Sequence, residues 1–363
     1  MSMDFVTIHV ISKNVDLIKD VGMIPYTMDK KYGYKSTLVT FCNEENYSNM
    51  DNCSEHLSLE FIHKGFPLGK VLLYLIKKGK KIDVLNMYHP SLSNTLIALF
   101  FYKMINRAGV SYLKLDLDYN GIQLLESYRG LDHLVRRSLL KKIDIISAES
   151  REIADRFSEK YNVDVEYIPN GCYMDCDITS NTGKHNFLSI GRLGTKQKNT
   201  GLLIDAFLSI CDQTDWNLIL AGPATVGFSD RLNDIYAEKP EMKARIRYLG
   251  EIIDRKKLME VYSGASVFVL PSRWESFGIV AVEALCAGDY LILSDKIPPA
   301  NDFINDRKCG MIFESENCND LACKMLETTN IYIDHEAISR FGGSKFSWGS
   351  ICQKLDDLIK DKR

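Results

Sequence analysis

Apolar runs of strand length alternate with helix-patterned segments along almost the whole chain, and the alternation starts again after a polar interruption. The first series runs through FVTIHVIS (5–12), STLVTF (36–41), LEFIH (59–63), IDVLNMYH (82–89), SYLKLDLD (111–118), IDIISAES (143–150) and VEYIPNG (165–171). The second runs through NFLSIGR (186–192), WNLILAG (216–222), IRYLGEI (246–252), SVFVLPS (266–272), YLILSD (290–295) and MIFES (311–315). Strand–helix alternation of this kind requires parallel sheets covered by helices on both faces, an α/β doubly wound architecture. The helix in the first βα unit is expected to break in KDVGMIPY (19–26), at Gly22 and Pro25.

A chain of 363 residues exceeds what one core usually spans, about 250–300 residues. Two domains are therefore expected, over 1–171 and 185–335. CYMDCDITSNTGKH (172–185) has no apolar periodicity, so 172–184 reads as the linker. FSWGSICQKLDDLIKDKR places Trp348 ahead of an apolar stripe at Ile351, Leu355, Leu358 and Ile359, within a closing segment over 336–363. In doubly wound sheets ligands bind outside the carboxyl ends of the strands, so the chemistry is sought there.

The formal net charge of -3 argues against nucleic acid as a partner. Ten cysteines include no C-x-x-C pair and no zinc-ligand spacing, and MSMDFVTIHVIS reads as a strand rather than a secretory signal. Reduced thiols and a cytoplasmic location are the expectation. KVLLYLIKKGKK (70–81) has two readings: a core-packed helix with lysines at its carboxyl end, or a basic amphipathic helix lying on an anionic membrane surface at its inner face.

Three strand ends of the second series carry polar groups. SIGRLGTKQKN holds Gly191, Arg192, Lys196 and Lys198 before a helix, which suits a diphosphate as well as it suits a solvated basic turn. AGPATVG (221–227) reads only as a turn. PSRWESFGIVAVEALCAG (271–288) is a polar loop followed by a helix apolar almost all round, and such helices are buried. Glu275 precedes that helix and Glu283 lies inside it. A carboxylate among Val280, Ala281, Val282, Ala284 and Leu285 needs a partner. From these residues alone, a buried Arg or Lys is slightly favoured over ligand hydroxyls.

Taken in order, SIGRLGTKQKN, LILAGP, YLGEI and YSGASVFVLPSRWESFGIVAVEALCAG resemble the donor half of the family 4 retaining glycosyltransferases with the GT-B fold. The resemblance extends over 165–327 and includes Glu275 and Glu283 as that family's paired glutamates. It implies two Rossmann-like domains facing a cleft, with the acceptor bound by the first and a nucleotide-sugar by the second, and a last helix that crosses back to the first domain. It implies transfer of a hexose, with UDP-sugars favoured, to an acceptor hydroxyl in cell-surface polysaccharide, lipid-linked glycan or glycoconjugate synthesis. Arg192 and Lys198 would hold the pyrophosphate, with Lys196 a further candidate. Glu275 would bind sugar hydroxyls, and Ser276, Phe277 and Gly278 would present the helix start to a phosphate. Glu283 would bind the ribose, and Gly250, Glu251 and Ile252 the base. No metal or other cofactor is expected, since cations and a helix end would stabilise the leaving group.

The first domain departs from the family. A single Gly22 stands where members carry a double glycine, and it joins the candidate donor-binding set. Asp116 and Asp118 stand where a histidine is expected. Asp116 is the first domain's catalytic candidate, and the other reading of this pair is an Asp capping the turn before Asn120 and Gly121. His89 reads as structural. The alternatives are a non-catalytic GT-B partner subunit, or an epimerase or phosphorylase on the same fold. No acid/base set or Schiff-base lysine can be pointed to for the last two.

Overall fold

A computed structural model describes residues 2–42, 46–63, 65–89, 92–172 and 184–363. The chain divides into two compact units, Met1–Tyr173 with Ser347–Arg363, and Met174–Phe346. The linker expected over 172–184 lies outside the described residues apart from Cys172 and Lys184.

The first unit is built on seven parallel strands: β1 (Asp4–Ile8), β2 (Lys35–Phe41), β3 (Ser58–Ile62), β4 (Val84–Tyr88), β5 (Val110–Leu115), β6 (Ile145–Ala148) and β7 (Glu166–Tyr167). Their order is β3-β2-β1-β4-β5-β6-β7. Successive side chains of a strand leave on opposite faces, and here both faces are covered. Val6, Leu85, Met87 and Leu113 join one core with Leu96, Leu99 and Tyr102. Phe5, Val84 and Tyr112 join the other with Ile24, Trp348, Ile351 and Leu355.

The first helix, Asp20–Tyr32, runs unbroken through Gly22 and Pro25, against the expected break. Pro25 removes one helical hydrogen bond at a cost of about 3 kcal/mol. Nine consecutive buried residues, Asp20 to Met28, outweigh that cost. Gly22 sits in the first turn, where a Cβ would stand 2.2 Å from the Leu17 carbonyl oxygen.

The second unit has six parallel strands: β8 (Asn186–Ile190), β9 (Asn217–Ala221), β10 (Ile246–Tyr248), β11 (Val267–Leu270), β12 (Tyr290–Ser294) and β13 (Gly310–Phe313). They are ordered β10-β9-β8-β11-β12-β13. Every residue of β11 and β12 is buried, as a central parallel strand requires.

The segment expected as one closing piece over 336–363 divides. Helix His335–Phe346 belongs to the second unit and packs on helix Ile279–Ala287. Ser347 then caps helix Trp348–Asp361, which belongs to the first unit and lies on helix Asp20–Tyr32. There the Tyr34 hydroxyl donates to Asp356 Oδ1 at 2.8 Å and the Tyr32 hydroxyl to the Gly349 carbonyl at 2.7 Å.

The Trp348 ring is seated on Gly171, where a Cβ would lie 2.6 Å from Cδ2 of the indole. Gly171→Ala should therefore lower stability by about 1–3 kcal/mol, the usual cost of overpacking a core. Urea titration followed by circular dichroism reads this, and an unchanged midpoint would refute the seating.

Candidate functional site

In the second sheet the connections reverse direction between β8 and β11, so the loops after these two strands flank the switch point. Both strands stop short of their polar tails, which leaves Gly191–Lys198 and Pro271–Gly278 as loops. Gly191 comes within van der Waals range of the Lys198 stem, since a Cβ there would stand 3.2 Å from Cε. AGPATVG, only a turn by sequence, supports this loop. Gly222 has φ +121°, and a Cβ on it would lie 2.1 Å from the Gly191 carbonyl oxygen.

Lys198 and Glu275 meet across the two loops. Lys198 Nζ donates to Glu275 Oε1 at 2.5 Å, and the Ser272 hydroxyl donates to the same oxygen at 2.7 Å. Glu275 is only 8% exposed. Gln197 accepts from the Arg192 guanidinium at 2.6 Å and donates to the Trp274 carbonyl at 3.1 Å. The Arg273 N–H donates to the Gln197 carbonyl at 2.8 Å, and its guanidinium donates to the Lys196 carbonyl at 2.7 Å and bidentately to Glu316 at 2.7 and 2.9 Å. Arg192 and Lys196 keep exposed side chains. The loops thus form one hydrogen-bonded body carrying four cations, Arg192, Lys196, Lys198 and Arg273, and the Glu275 carboxylate. Ser272, Gln197 and Arg273 were not among the candidates. Ser272 could have been found from its S-x-x-E spacing to Glu275, a known reciprocal hydrogen-bond spacing. Nothing local marks Gln197.

Phe277 is buried edge-on against Phe303, and Gly278, at φ +88°, precedes the first turn of helix Ile279–Ala287. Ser276 is half-buried between Glu275 and Phe277. Gly250 accepts from the Gly222 N–H at 2.8 Å, with Glu251 exposed and Ile252 half-buried beside it.

Glu283 requires a correction. The resemblance explains its burial by a ribose where the residues alone slightly favour a cation, and the cation is present: Arg255 donates to Oε1 at 2.8 Å and the Tyr262 hydroxyl to Oε2 at 2.8 Å. Helix Arg255–Tyr262 packs beside Ile279–Ala287 and supplies both partners. The charge is balanced within the protein.

Of the first-unit candidates, His89 follows β4 and Asp116 and Asp118 follow β5, whereas Gly22 lies inside helix Asp20–Tyr32. Asp116 is exposed, and its backbone N–H donates to His89 Nδ1 at 3.2 Å. Burial lowers the pKa of His89, which suits its role as an acceptor here. The turn before Asn120 and Gly121 is capped by Asp118, whose Oδ1 accepts from the Gly121 N–H at 2.7 Å, and not by Asp116. Gly22 belongs to this unit, where its close approach to Leu17 accounts for the glycine.

Beneath Asp116 lies a buried ionisable group that sequence reasoning missed. Lys114 is wholly buried, donates to the Ile168 carbonyl at 3.1 Å and stands 3.7 Å from Glu149 Oε1. Asn170 donates to that oxygen at 2.7 Å. Burial pushes Asp20 up to about 6, against the pull of Lys114, and pushes Glu149 well above the usual carboxylate range. Nothing local in SYLKLDLD marks Lys114, and only the sheet shows that it is buried. Among the described residues, no cluster of three or more His, Cys, Asp or Glu could hold a metal ion, and no helix is long and apolar enough to cross a membrane.

Residues 177–342 match the family model of glycosyl transferases group 1. An uncharacterized 41.2 kDa protein in the cps region of Klebsiella pneumoniae is 27% identical over 318 residues, covering 81% of this chain and 83% of its own length. An uncharacterized glycosyltransferase of Methanocaldococcus jannaschii is 24% identical over 352 residues, covering 94% and 90%. The crystal structure of Anabaena HepE in complex with UDP superposes with a TM-score of 0.72 at 18% identity, covering 99% of this chain and 100% of that one. The fold is GT-B, and the match to the group 1 family model lies within the second unit.

The buried carboxyls of the first unit set a pH dependence. A carboxyl whose pKa rises on folding contributes stability that is fully present below its unfolded value, about 4, and is lost as pH rises through its folded value. For Asp20 the window runs up to about 6. The unfolding free energy from urea titration should fall between pH 4 and 7, by on the order of 2 kcal/mol, and Asp20→Asn should flatten that slope. Equal slopes in wild type and variant would show that Asp20 is not the titrating group.

Proposed function

We propose that this GT-B glycosyltransferase moves a hexose from a nucleotide-diphosphate sugar, with UDP favoured, to an acceptor hydroxyl with retention at the anomeric carbon. The observation that carries the reading is the Lys198–Glu275 pair, 2.5 Å apart at the switch point of the second sheet. It sets an ammonium, able to donate to a phosphate, beside a carboxylate, able to accept from sugar hydroxyls, on loops braced by Gln197 and Arg273. Arg192 and Lys198 are proposed to hold the diphosphate together with the Phe277 and Gly278 N–H groups, and the exposed Lys196 to assist. Glu283, oriented by Arg255 and Tyr262, is proposed for the ribose, and Gly250–Ile252 for the base. The UDP bound to the HepE relative supports this choice of nucleotide.

In the proposed mechanism the acceptor hydroxyl attacks from the face the diphosphate leaves. The departing oxygen, stabilised by Arg192 and Lys198, takes the acceptor proton. The C1–oxygen bond to the diphosphate breaks as the new glycosidic bond forms on the same face. No metal is required, because the charge developing on the diphosphate is met by side-chain cations and the amino end of helix Ile279–Ala287. The acceptor is proposed to bind the first unit, with Asp116 facing its hydroxyl. The Klebsiella relative from the cps region supports a role in surface polysaccharide or glycoconjugate synthesis. The supported glycosyltransferase family disfavours an epimerase or a non-catalytic subunit.

A cytoplasmic protein that touches the inner face of the membrane is also part of the proposal. Helix Pro67–Lys78 buries Val71, Tyr74 and Leu75 but exposes Leu73 and Ile76, with Phe66 before it and Lys77 and Lys78 at its end. An outer face that is both apolar and basic suits an anionic lipid surface.

Two measurements test the donor site. Lys198→Ala should weaken UDP binding at least about tenfold by titration calorimetry, and equal affinity would remove Lys198 from the phosphate. Glu275→Gln should lower turnover roughly 100-fold while keeping UDP affinity within about threefold, whereas full activity would remove Glu275 from the site. For the reaction itself, an anomeric proton NMR signal of retained configuration, unaffected by EDTA, is expected. Inversion overturns the stereochemistry, and complete loss of activity in chelator overturns the metal-free route.

A further inference from the structure

The first unit contains an apolar cavity of about 180 Å³ at the carboxyl ends of β1 and β4. These strands are neighbours at the point where the first sheet reverses direction, the usual ligand position in doubly wound sheets. Ile8, Leu68, Val71, Met87 and Ala98 supply its walls, from the two strands and from helices Pro67–Lys78 and Leu92–Ile105. The cavity reaches the surface, since Pro67 and Asn94 line it and are exposed. Aliphatic cavities of about 150 Å³ stay dry and take up a six-carbon guest such as benzene.

The rim is polar without being cationic. His9 lines the cavity, its Nδ1 2.9 Å from the Ser12 hydroxyl and its ring edge-on to Tyr88. Burial lowers the His9 pKa, against the pull of Asp16 and Asp116, which favours the neutral imidazole. Asn94 adds an amide, and the carboxylates of Asp16 and the exposed Asp116 are both near enough to His9 to influence its charge. Neutral donors and acceptors with two nearby carboxylates complement hydroxyl groups and repel phosphates.

We propose that this cavity binds the hydrocarbon portion of the acceptor, so that the acceptor is an alkyl- or aryl-bearing glycoside whose sugar rests against His9, Asn94 and Asp116. The inference rests on the reading that the first unit binds the acceptor. The apolar wall selects the aglycone, and the rim selects an uncharged hydroxylated head.

The test uses the full chain without donor, titrated calorimetrically with glucose and with n-butyl, n-hexyl and n-octyl glucoside below their micelle concentrations. Affinity should rise about fourfold for each buried methylene up to roughly six carbons and then level off, with glucose giving no detectable heat. Leu68→Glu, at a half-buried wall position, should weaken octyl glucoside at least tenfold while leaving the melting temperature and UDP affinity unchanged. Ala98→Phe, which fills the cavity, should do the same, so a folding failure in one variant leaves the other decisive. A flat chain-length series, or octyl glucoside binding unchanged by both variants, overturns the proposal. So does binding seen only with anionic vesicles, which would make the apolar groups a membrane surface. Loss of UDP binding by the wild type would strike the donor reading and leave this result standing.

Discussion

The contact between Lys198 and Glu275 is a consequence of strand order. β8 and β11 are far apart in sequence but adjacent in the sheet, because the chain builds outward from β8 on one side and then returns to build on the other. The loops that follow them are therefore forced together, and residues 77 positions apart meet at 2.5 Å. Each loop alone would be a mobile polar turn. Joined by Ser272, Gln197 and Arg273, they become one surface whose charges keep their positions. Preorganised charge of this kind is what stabilises a developing anion at little reorganisation cost.

Glu283 shows how a local physical argument and a family resemblance can point different ways. Burial in an apolar helix demanded a partner, and a buried cation was slightly favoured from the residues alone. The resemblance implied a ribose instead. Arg255 and Tyr262 supply the partners from a neighbouring helix. A protein-satisfied carboxylate holds its position whether or not a nucleotide is bound, so the pairing restricts what burial can prove. It says that Glu283 is placed, and the ribose role needs its own evidence.

Both sheets were legible in the sequence because central parallel strands read as continuous apolar runs bounded by turns, and every predicted strand has its counterpart. The polar tails of those runs were misread as strand: β5 stops at Leu115 and β8 at Ile190, which puts Asp116, Asp118 and Arg192 in loops. Gly22 and Pro25 signalled a break because their cost is local, whereas the burial that overrides it comes from distant residues such as Trp348 and Ile351. Lys114 and Gln197 were illegible for the same reason. Their roles depend on Ile168, Glu149, Trp274 and Arg192, and no local pattern encodes those meetings.

The strand ends of the two units carry opposite charge, and this bears on which ligand each can receive. In the second unit Arg192, Lys196, Lys198 and Arg273 stand with two carboxylates, Glu275 and Glu316, so a diphosphate placed there would meet net positive charge beside a helix amino end. In the first, Asp20 and Glu149 share one buried ammonium, Lys114, with Asp116 exposed above them. Two buried carboxyls cannot both be balanced by one cation, so the group retains a proton into the range where most carboxyls have lost theirs. A second anion placed over that cluster would be repelled, whereas a hydroxyl would find acceptors. A nucleotide-sugar in the second unit and a neutral, hydroxylated acceptor in the first is the distribution these charges favour. The same charges make the reverse assignment costly, because a diphosphate at the ends of β5 and β6 would face carboxyls where it needs cations.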